Sequence, residues 1–434
     1  MNQYFKQAWN LIKQEKLFSS IYIIGTGLSI TIVMVLSIVF YIRVANIYPE
    51  TNRDRMLVVK SGVVMNTRNN NSSSSSISLK MIETCFRPLS NVEAMTAVYS
   101  TWDKFYVQPE GTKEQLLVTV KFVDIAFWKV FSFRFLKGSQ FSEADFQSGI
   151  RSAVISEFMA ERLFGTIDVI GNYVSMNHMH YRICGVVKNA SSVATTSYAH
   201  LWIPYTVLPN HNDSYADGNL LGSFRLYILA LSKGEIAKIR NEALENIQKI
   251  NNTFQSDGVE IKLMEQPDKF WESTFRHWSN AGPDFKKIKW QYSLVFLILL
   301  LVPGVSLSGM ADSRMERRIV EMGVRRAFGA PVKTLMLQIF SENFLFTLIG
   351  GIAGLLFSYI LILLSANWIM SISQSLVDIL PEGESTVIST AMLINIPVFL
   401  IALGVCFLLN ILTTFVPAWR SSHREITYSL NAKN

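Results

Sequence analysis

Long uninterrupted runs of apolar residues dominate the pattern along this chain. A helix needs roughly 20 consecutive apolar residues to cross the hydrocarbon core of a bilayer. Four runs reach that length, at 17–42, 290–311, 334–365 and 391–419. Three of them contain no charged residue, and the third along the chain contains only Glu342. One such run fits the buried helix of a soluble protein, but four runs favour transmembrane helices.

The positions of the basic residues predict which side of the membrane each loop occupies. Lys and Arg cluster before the first run, between the second and third runs, and after the fourth run, whereas the loop 367–390 has neither. The positive-inside rule therefore predicts both termini in the cytoplasm and the long segment 44–285 on the outer, periplasmic side of a bacterial inner membrane. Nucleic-acid binding is the other interpretation of basic loops. It is not favoured here, because the basic residues lie directly beside the apolar runs.

The predicted fold class is an α-helical membrane protein with four transmembrane helices and an α+β extracytoplasmic domain inserted between the first two. The predicted segments are a cytoplasmic interfacial helix (1–16), transmembrane helix 1 (17–43), the outer domain (44–285), a stalk end with transmembrane helix 2 (286–311), a cytoplasmic helix (312–331), transmembrane helix 3 (332–366), an outer loop (367–390), transmembrane helix 4 (391–418) and a cytoplasmic tail (419–434).

Inside the outer domain, similar strand and helix patterns stand on both sides of an insert. They predict a split β-α-β subdomain made of 44–120 and 221–275, with 121–220 as the inserted subdomain. The serine-rich stretch 66–76 is polar and of low complexity, and we expect a mobile loop there.

Two groups of residues in the outer domain invite a chemical interpretation. Cys85 and Cys184 are both placed where a disulfide could form, and two free thiols are the equal alternative. His178 and His180 alternate on one face of a predicted strand and supply half of a zinc site. The same residues also fit a hairpin turn, which is the favoured interpretation. No metal site and no catalytic residue is therefore predicted.

The cytoplasmic segment 312–331 carries local signals for a short helix. Ser313 and Glu316 match a capping box, Gly329 can end a helix in the left-handed conformation, and Pro331 can start the next one. A stiff helix joined to two membrane spans suits the transmission of force to a docked partner. A basic helix lying on anionic lipid headgroups is an equal alternative on physical grounds.

The same segment resembles the R-x-R-E-I-G-[LV]-R-[RK]-A-x-G-A motif of the MacB/FtsX superfamily of ABC transporter permeases. The matching positions are Arg318, Glu321, Met322, Gly323, Arg325, Arg326, Ala327, Gly329 and Ala330. The resemblance implies that these residues couple the permease to its ATPase. It extends along the chain, through 123–138, 154–171, 181–188 and 203–204, to the Pro-Ala-Trp-Arg run at 417–420. It thus implies a MacB-like periplasmic core domain and an FtsX-like membrane domain.

The third apolar run contains the residues that we expect to pack inside the membrane. Gly350 and Gly354 have the spacing that allows close helix packing or dimerisation. Glu342 fits a polar contact with the cytoplasmic helix or a partner subunit, or else a carboxylate that extends to the cytoplasmic face.

The function implied by the resemblance is that of a permease subunit that relays ATP-driven motion to its periplasmic domain, for export of a drug, peptide or lipoprotein. No G-x-x-x-x-G-K-[ST] phosphate-binding loop occurs in the sequence. The chain is therefore expected to be no enzyme and to hold no cofactor, with ATP and Mg²⁺ bound by separate cytoplasmic ABC ATPase subunits. The other expected partners are a second permease chain, a periplasmic adaptor or lipoprotein, and membrane lipids. The alternative is an FtsX-like regulator of cell-envelope processes without transport.

Overall fold

The computed structural model describes residues 16–101, 103, 105–109, 115–276, 281–294, 297, 324–325, 327–371 and 396–423. Contacts between Cα atoms divide the chain into two units. The helical unit consists of the described residues in Met1–Phe40, Phe285–Ile369 and Ser389–Asn434. The α+β unit consists of those in Tyr41–Asp284 and Met370–Ile388.

The described helices are three long ones and several short ones. They are α1 Lys16–Val44, α2 Leu79–Met81 (continued by a π-helical turn, Ile82–Phe86), α3 Phe127–Val130, α4 Glu143–Gln147, α5 Glu157–Phe164, α6 Ile236–Phe254, α7 Phe270–Ser273, α8 Val332–Ser371 and α9 Ile396–His423. Residues 285–294 are also helical.

The described strands all belong to the α+β unit. They are β1 Met56–Val59, β2 Gly62–Asn66, β3 Asn71–Ile77, β4 Val92–Tyr99, β5 Phe105–Pro109, β6 Leu116–Val118, β7 Val120–Val123, β8 Phe135–Gly138, β9 Ser152–Ser156, β10 Tyr173–Met176, β11 Met179–Val187, β12 Leu201–Pro204, β13 Leu221–Gly222, β14 Phe224–Ala230, β15 Val259–Lys262 and β16 Asp268–Lys269.

Two of the long helices are apolar enough to cross a membrane. The stretch Ser19–Val44 of α1 has a mean hydropathy of 2.4, and Val332–Ser365 of α8 has 2.3. These are the candidate spans within the described part of the chain, and they coincide with predicted transmembrane helices 1 and 3. Helix α9 occupies most of the fourth predicted span, and most of the second lies outside the described residues. The count of four spans stays a prediction.

The sheet of the α+β unit is continuous from β15 at one end to β6 at the other. Strand β14 lies between β1 and β4 and is antiparallel to both, so that Tyr227 stands opposite Val58 and Thr96. Its sequence is almost continuously apolar, which is typical of a strand covered on both faces. In the insert, β11 pairs parallel with β9 and antiparallel with β8 and β10.

The expectation of a mobile loop at 66–76 was wrong. Asn71–Ile77 forms strand β3, which pairs residue by residue with β2, from Gly62 opposite Ser75 to Asn66 opposite Asn71. The ladder consists of backbone hydrogen bonds, which a serine makes as well as a valine. The apolar partner β2 provides the buried residues, so the polar composition of β3 hid its strand structure.

Aromatic side chains fill the core of the insert. Trp128 lies 6.0 Å from Trp202 and 5.6 Å from Phe133, measured between ring centroids, and Phe133 lies 5.0 Å from Trp202. Most of these contacts are edge-to-face, the arrangement that aromatic quadrupoles favour. Trp202 is fully buried. Tyr48, in the segment after α1, lies 6.2 Å from Phe133 of this cluster, measured between ring centroids.

Candidate functional site

The segment before α8 ends at Gly329, the residue that the sequence predicted to terminate a helix. Gly329 has φ = +88°, which confirms the left-handed conformation expected from the sequence. The Ala330 N–H donates to the Arg325 carbonyl at 3.0 Å, and the Phe328 N–H donates to the Val324 carbonyl at 3.1 Å. The bond from Ala330 to Arg325 is the 6→1 bond of a Schellman motif. Pro331 follows, and α8 begins at Val332.

A chain of side-chain hydrogen bonds leads from this segment into α8. Arg325 Nη1 donates to Gln338 Oε1 at 2.7 Å, and Gln338 Nε2 donates to Glu342 Oε1 at 3.2 Å. Glu342 is only 1% exposed. Glu342 is therefore joined through Gln338 to the segment before α8, and its proposed role in the membrane stays a prediction.

The structure describes only part of the predicted coupling motif. Arg325, Ala327 and Gly329 are described, whereas Arg318, Glu321, Met322, Gly323 and Arg326 lie outside the described residues. Phe328, within the same motif, is 89% exposed. The ATPase-coupling role of the motif stays a prediction.

The two glycines predicted to pack inside the membrane contact α1 of the same chain. A Cβ at Gly354 would lie 2.3 Å from the Gly27 carbonyl oxygen, and a Cβ at Gly350 would lie 2.9 Å from that of Ile23. Thr31 Oγ1 lies 3.0 Å from the Gly354 carbonyl oxygen and donates a hydrogen bond across the two helices. The face formed by Gly350 and Gly354 is therefore covered by α1, which favours helix packing within the chain over dimerisation through this face.

A buried ion pair that the sequence analysis missed lies just after α1. Arg53 Nε donates to Glu50 Oε2 at 2.7 Å, and both side chains are at most 1% exposed. Arg53 Nη1 also donates to the carbonyls of Ile42, at 2.7 Å, and Ala45, at 2.9 Å. A helix leaves its last carbonyls without partners inside the helix, and a cation there also complements the helix dipole. Arg53 thus fastens the C-terminal end of α1 to Glu50.

Glu50 in turn joins this ion pair to the core of the insert. Its Oε1 accepts hydrogen bonds from the Ser197 N–H, at 2.9 Å, and the Ser197 hydroxyl, at 2.8 Å. The Trp202 indole N–H donates to the Ser197 carbonyl at 3.1 Å. A continuous path therefore runs from the end of α1 through Arg53, Glu50 and Ser197 to the aromatic cluster. We call these three residues the α1 clamp.

A second buried ion pair lies near the other end of the α+β unit. Arg276 binds Asp268 with two nitrogens, at 2.6 and 2.9 Å, and both side chains are 2% exposed. Arg276 also donates to the carbonyls of Met264 and Ala281. Because Asp268 belongs to β16, which pairs with β1, the chain that leaves the unit is fixed to the same strand that follows α1.

The structure describes the surroundings of His178, Cys85 and Cys184. His178 has φ = +62° and Asn177 φ = +50°, so these two residues are the turn between β10 and β11. Within the described residues no group of three or more metal-ligating side chains occurs. Cys85 and Cys184 are free thiols, and burial raises the pKa of Cys85 to about 11 and that of Cys184 to about 12.

The fold and the site define a membrane protein in which an α+β unit is fastened to the end of an apolar helix. Comparison with protein families identifies the class of membrane protein to which the chain belongs. Residues 19–245 match the MacB-like periplasmic core domain, and residues 293–426 match the FtsX-like permease C-terminal region. The chain therefore belongs to the ABC transporter permeases of the MacB/FtsX type.

Individual relatives agree with this assignment. The ABC transporter permease YknZ of Bacillus subtilis is 23% identical over 57% of this chain and 58% of its own length. The pyoverdine export ATP-binding/permease protein PvdT of Pseudomonas savastanoi pv. phaseolicola is 27% identical over 53% of this chain and 33% of its own length. The chain thus matches between a third and just over half of the length of these relatives.

Solved structures of outer domains are also similar to part of the chain. The extracellular domain of the YknZ transporter from Gram-positive bacteria matches 47% of this chain and 99% of that domain, with 17% identity and a TM-score of 0.35. The periplasmic region of MacB from Actinobacillus actinomycetemcomitans matches 47% and 88%, with 13% identity and a TM-score of 0.32.

Proposed function

We propose that this permease relays ATP-driven motion from separate cytoplasmic ATPase subunits to its α+β unit, and that the motion serves export of a substrate. The α1 clamp is the observation that carries the proposal. Helix α1 is one continuous helix from Lys16 to Val44, and its last carbonyls are bonded to a buried arginine. A helix held in this way passes a displacement on to the α+β unit, whereas a flexible linker would absorb it.

The input end of the relay is the segment before α8. The hydrogen bonds from Arg325 through Gln338 to Glu342 join it to a helix of 40 residues. Exposed Phe328 supplies a contact for an ATPase subunit. The resemblance of this segment to the coupling motif of the family supports that assignment.

The remaining partners follow the architecture of the family. A second permease chain, of the same or a different sequence, would complete a dimer on two ATPase subunits, and both termini would lie in the cytoplasm. Several relatives are named as export proteins, which supports export over a purely regulatory role. A drug, a peptide or a lipoprotein remains the proposed cargo class, with a periplasmic adaptor or lipoprotein as a further partner.

The first experiment tests the input end. A photo-crosslinking amino acid replaces Phe328 in the full-length chain in its native host, and Leu408, a 59% exposed residue of α9, is the control position. We expect Phe328 to capture a subunit with a phosphate-binding loop, and Leu408 to capture none. Capture of no ATPase at Phe328, or equal capture at both positions, contradicts the proposal.

The second experiment tests the relay itself. Spin labels on the α+β unit report its ATP-dependent displacement in the complex with the captured ATPase. We expect Glu50→Gln and Arg53→Lys to reduce the displacement and leave ATP hydrolysis measurable. Glu83→Gln, which removes an exposed ion pair of the same unit, should leave the displacement unchanged. An unchanged displacement in both clamp variants, once they are shown to be folded, contradicts the relay.

A further inference from the structure

A cavity of about 690 Å³ opens in the α+β unit beside the last residue of α1. One part of its wall is cationic, formed by Arg53, Lys233, Arg240 and Lys269. Asp54 is the only carboxylate among the residues that line it. None of these residues belongs to the predicted coupling motif, so the cavity is a separate feature.

The charges around the cavity leave a small positive surplus. Lys233 Nζ lies 2.6 Å from Asp54 Oδ2, and Arg240 Nη1 lies 3.4 Å from Glu272 Oε2. Arg53 is paired with Glu50. Lys269 forms no ion pair within the described part of the chain. With each pair counted as neutral, one positive charge remains, which matches the single negative charge of a phosphodiester.

Arg53 also presents a donor to this space. Its side chain is 1% exposed, its Nε and Nη1 donate to Glu50, Ile42 and Ala45, and its Nη2 makes no hydrogen bond with any described residue. The Arg53 guanidinium also lies over the Phe270 ring, with Cζ 4.6 Å from the ring centroid. Its Nη2 keeps N–H donors for an oxygen ligand in the cavity that Arg53 lines.

The turn that leads into α6 adds further donors. Gly234, Ile236 and Ala237 line the cavity, and a 3₁₀ turn, Lys233–Glu235, runs directly into the 19 residues of α6 with no side-chain cap at its start. The N–H groups at the start of a helix and the positive end of its dipole together favour an anion. The cationic wall and the helix start therefore face the same space.

The rest of the wall is apolar and indicates where the anion comes from. Val44, Leu244 and Trp271 line the cavity, and Val44 is the last residue of the candidate span Ser19–Val44. Lipid headgroups lie where a transmembrane helix leaves the hydrocarbon core, and tryptophan is enriched at this level. A free phosphate ion would leave these apolar groups facing water, whereas a phospholipid covers them.

We propose that this cavity binds the phosphodiester headgroup of an anionic phospholipid, with the glycerol and upper acyl region against Val44, Leu244 and Trp271. Arg53 Nη2, Lys269 and the 3₁₀ turn before α6 bind the phosphate oxygens. The bound lipid is then in contact with the α1 clamp through Arg53. The site requires no ATPase, so its test is independent of the proposed function.

The test uses the full-length chain in detergent micelles mixed with phosphatidylglycerol or phosphatidylcholine, with bound lipids counted by native mass spectrometry. Lys269→Gln and the double variant Lys233→Gln/Lys269→Gln remove cationic charge from the cavity. Lys238→Gln is the matched control, because Lys238 lies in the first turn of α6, is as exposed as Lys233 at 69% and does not line the cavity. Circular dichroism shows that each variant is folded.

We expect the wild type and Lys238→Gln to retain one phosphatidylglycerol per chain in preference to phosphatidylcholine. Each lysine removed from the cavity should weaken retention about fivefold, from about 1 kcal/mol per cation near an anionic lipid. Equal retention in the double variant and the wild type overturns the proposal, and so does an equal loss in the control. Inorganic phosphate at millimolar concentration should not displace the lipid, and displacement would identify a site for the free ion.

Discussion

Arg53 and Glu50 form an ion pair that is almost completely removed from solvent, shortly after the end of α1. Each residue also bonds to a different part of the chain. Arg53 donates to the Ile42 carbonyl in the last turn of α1, and Glu50 accepts from Ser197, which is 147 residues further along. The pair therefore joins two distant segments, and removing one partner leaves the other charged and buried.

Glu50→Gln should destabilise the α+β unit strongly. Breaking a buried ion pair by removing one charge costs about 3–5 kcal/mol, because the remaining charge loses its compensation. We expect a lower free energy of unfolding by that amount in urea denaturation of the full-length chain in detergent, followed by tryptophan fluorescence.

Glu83→Gln is the matched control for that measurement. Glu83 pairs with Arg87 at 3.1 Å on the surface, where the two side chains are 59% and 48% exposed. Exposed pairs contribute about 0–1 kcal/mol. Equal losses for Glu50→Gln and Glu83→Gln would show that the buried pair has no special role.

Gly354→Ala should weaken the packing of α8 on α1. The added Cβ would lie 2.3 Å from the Gly27 carbonyl oxygen, so the helix backbones must separate. Overpacking of this kind costs about 1–3 kcal/mol. Gly404→Ala in α9 is the control, since no atom of the described residues lies within 4 Å of its Cβ position. We expect a lower melting temperature in detergent for Gly354→Ala only, and equal melting temperatures would contradict the packing seen here.

The features that the sequence predicted are those with local causes. An apolar run of membrane length forms a helix because its own backbone satisfies its hydrogen bonds. Gly329 adopts φ = +88° because the residue type itself permits that conformation. The spacing of Gly350 and Gly354 likewise predicted a close helix contact, although the sequence could not say which helix they contact.

The features that were missed depend on residues far apart in the chain. Glu50 and Arg53 look like ordinary charges after a membrane span, and only the distant Ser197 and the helix carbonyls explain their burial. The strand β3 was missed because its composition is polar, while its pairing depends on β2. The neighbouring strands β1 and β2 likewise pair with different partners, β14 and β3, which depends on residues distant from them in the chain.

Asp124 should make the stability of the α+β unit depend on pH. Its carboxylate accepts hydrogen bonds from the Thr96 hydroxyl, at 2.6 Å, and from the N–H groups of Ala97 and Phe127, at 2.9 and 3.0 Å. Burial nevertheless dominates and raises the pKa of Asp124 to about 6, from an ordinary value of 3.8. Between these two pH values the folded chain binds a proton that the unfolded chain does not.

The contribution of Asp124 is therefore greatest below pH 4 and is lost as the pH rises through 6. A shift of about two pKa units corresponds to roughly 3 kcal/mol. The difference in free energy of unfolding between wild type and Asp124→Asn should fall by up to that amount between pH 4 and pH 7, measured by urea denaturation. For Asp168→Asn, at a 71% exposed position, the same difference should stay nearly constant. A constant difference for Asp124→Asn would contradict this assignment.

His178→Gly should stabilise the hairpin between β10 and β11. A two-residue turn with positive φ at both positions favours Asn-Gly, and this chain has Asn177 followed by His178. Glycine removes the steric cost of the left-handed conformation at His178, so we expect a gain of about 0.5–1 kcal/mol in the free energy of unfolding. His180→Gly is the control. His180 stands opposite Ser175 within the ladder, and glycine should weaken the strand there.

The same pair of variants separates the turn from the zinc half-site that the sequence left as an alternative. If the two histidines only shape the hairpin, added Zn²⁺ changes the melting temperature of neither the wild type nor the variants, and His178→Gly is the more stable protein with or without a chelator. A zinc site would instead make the wild type more stable than His178→Gly in the presence of zinc, because a ligand that binds only the folded state raises its stability. Zinc would then raise the melting temperature of the wild type, and His178→Gly would abolish the increase.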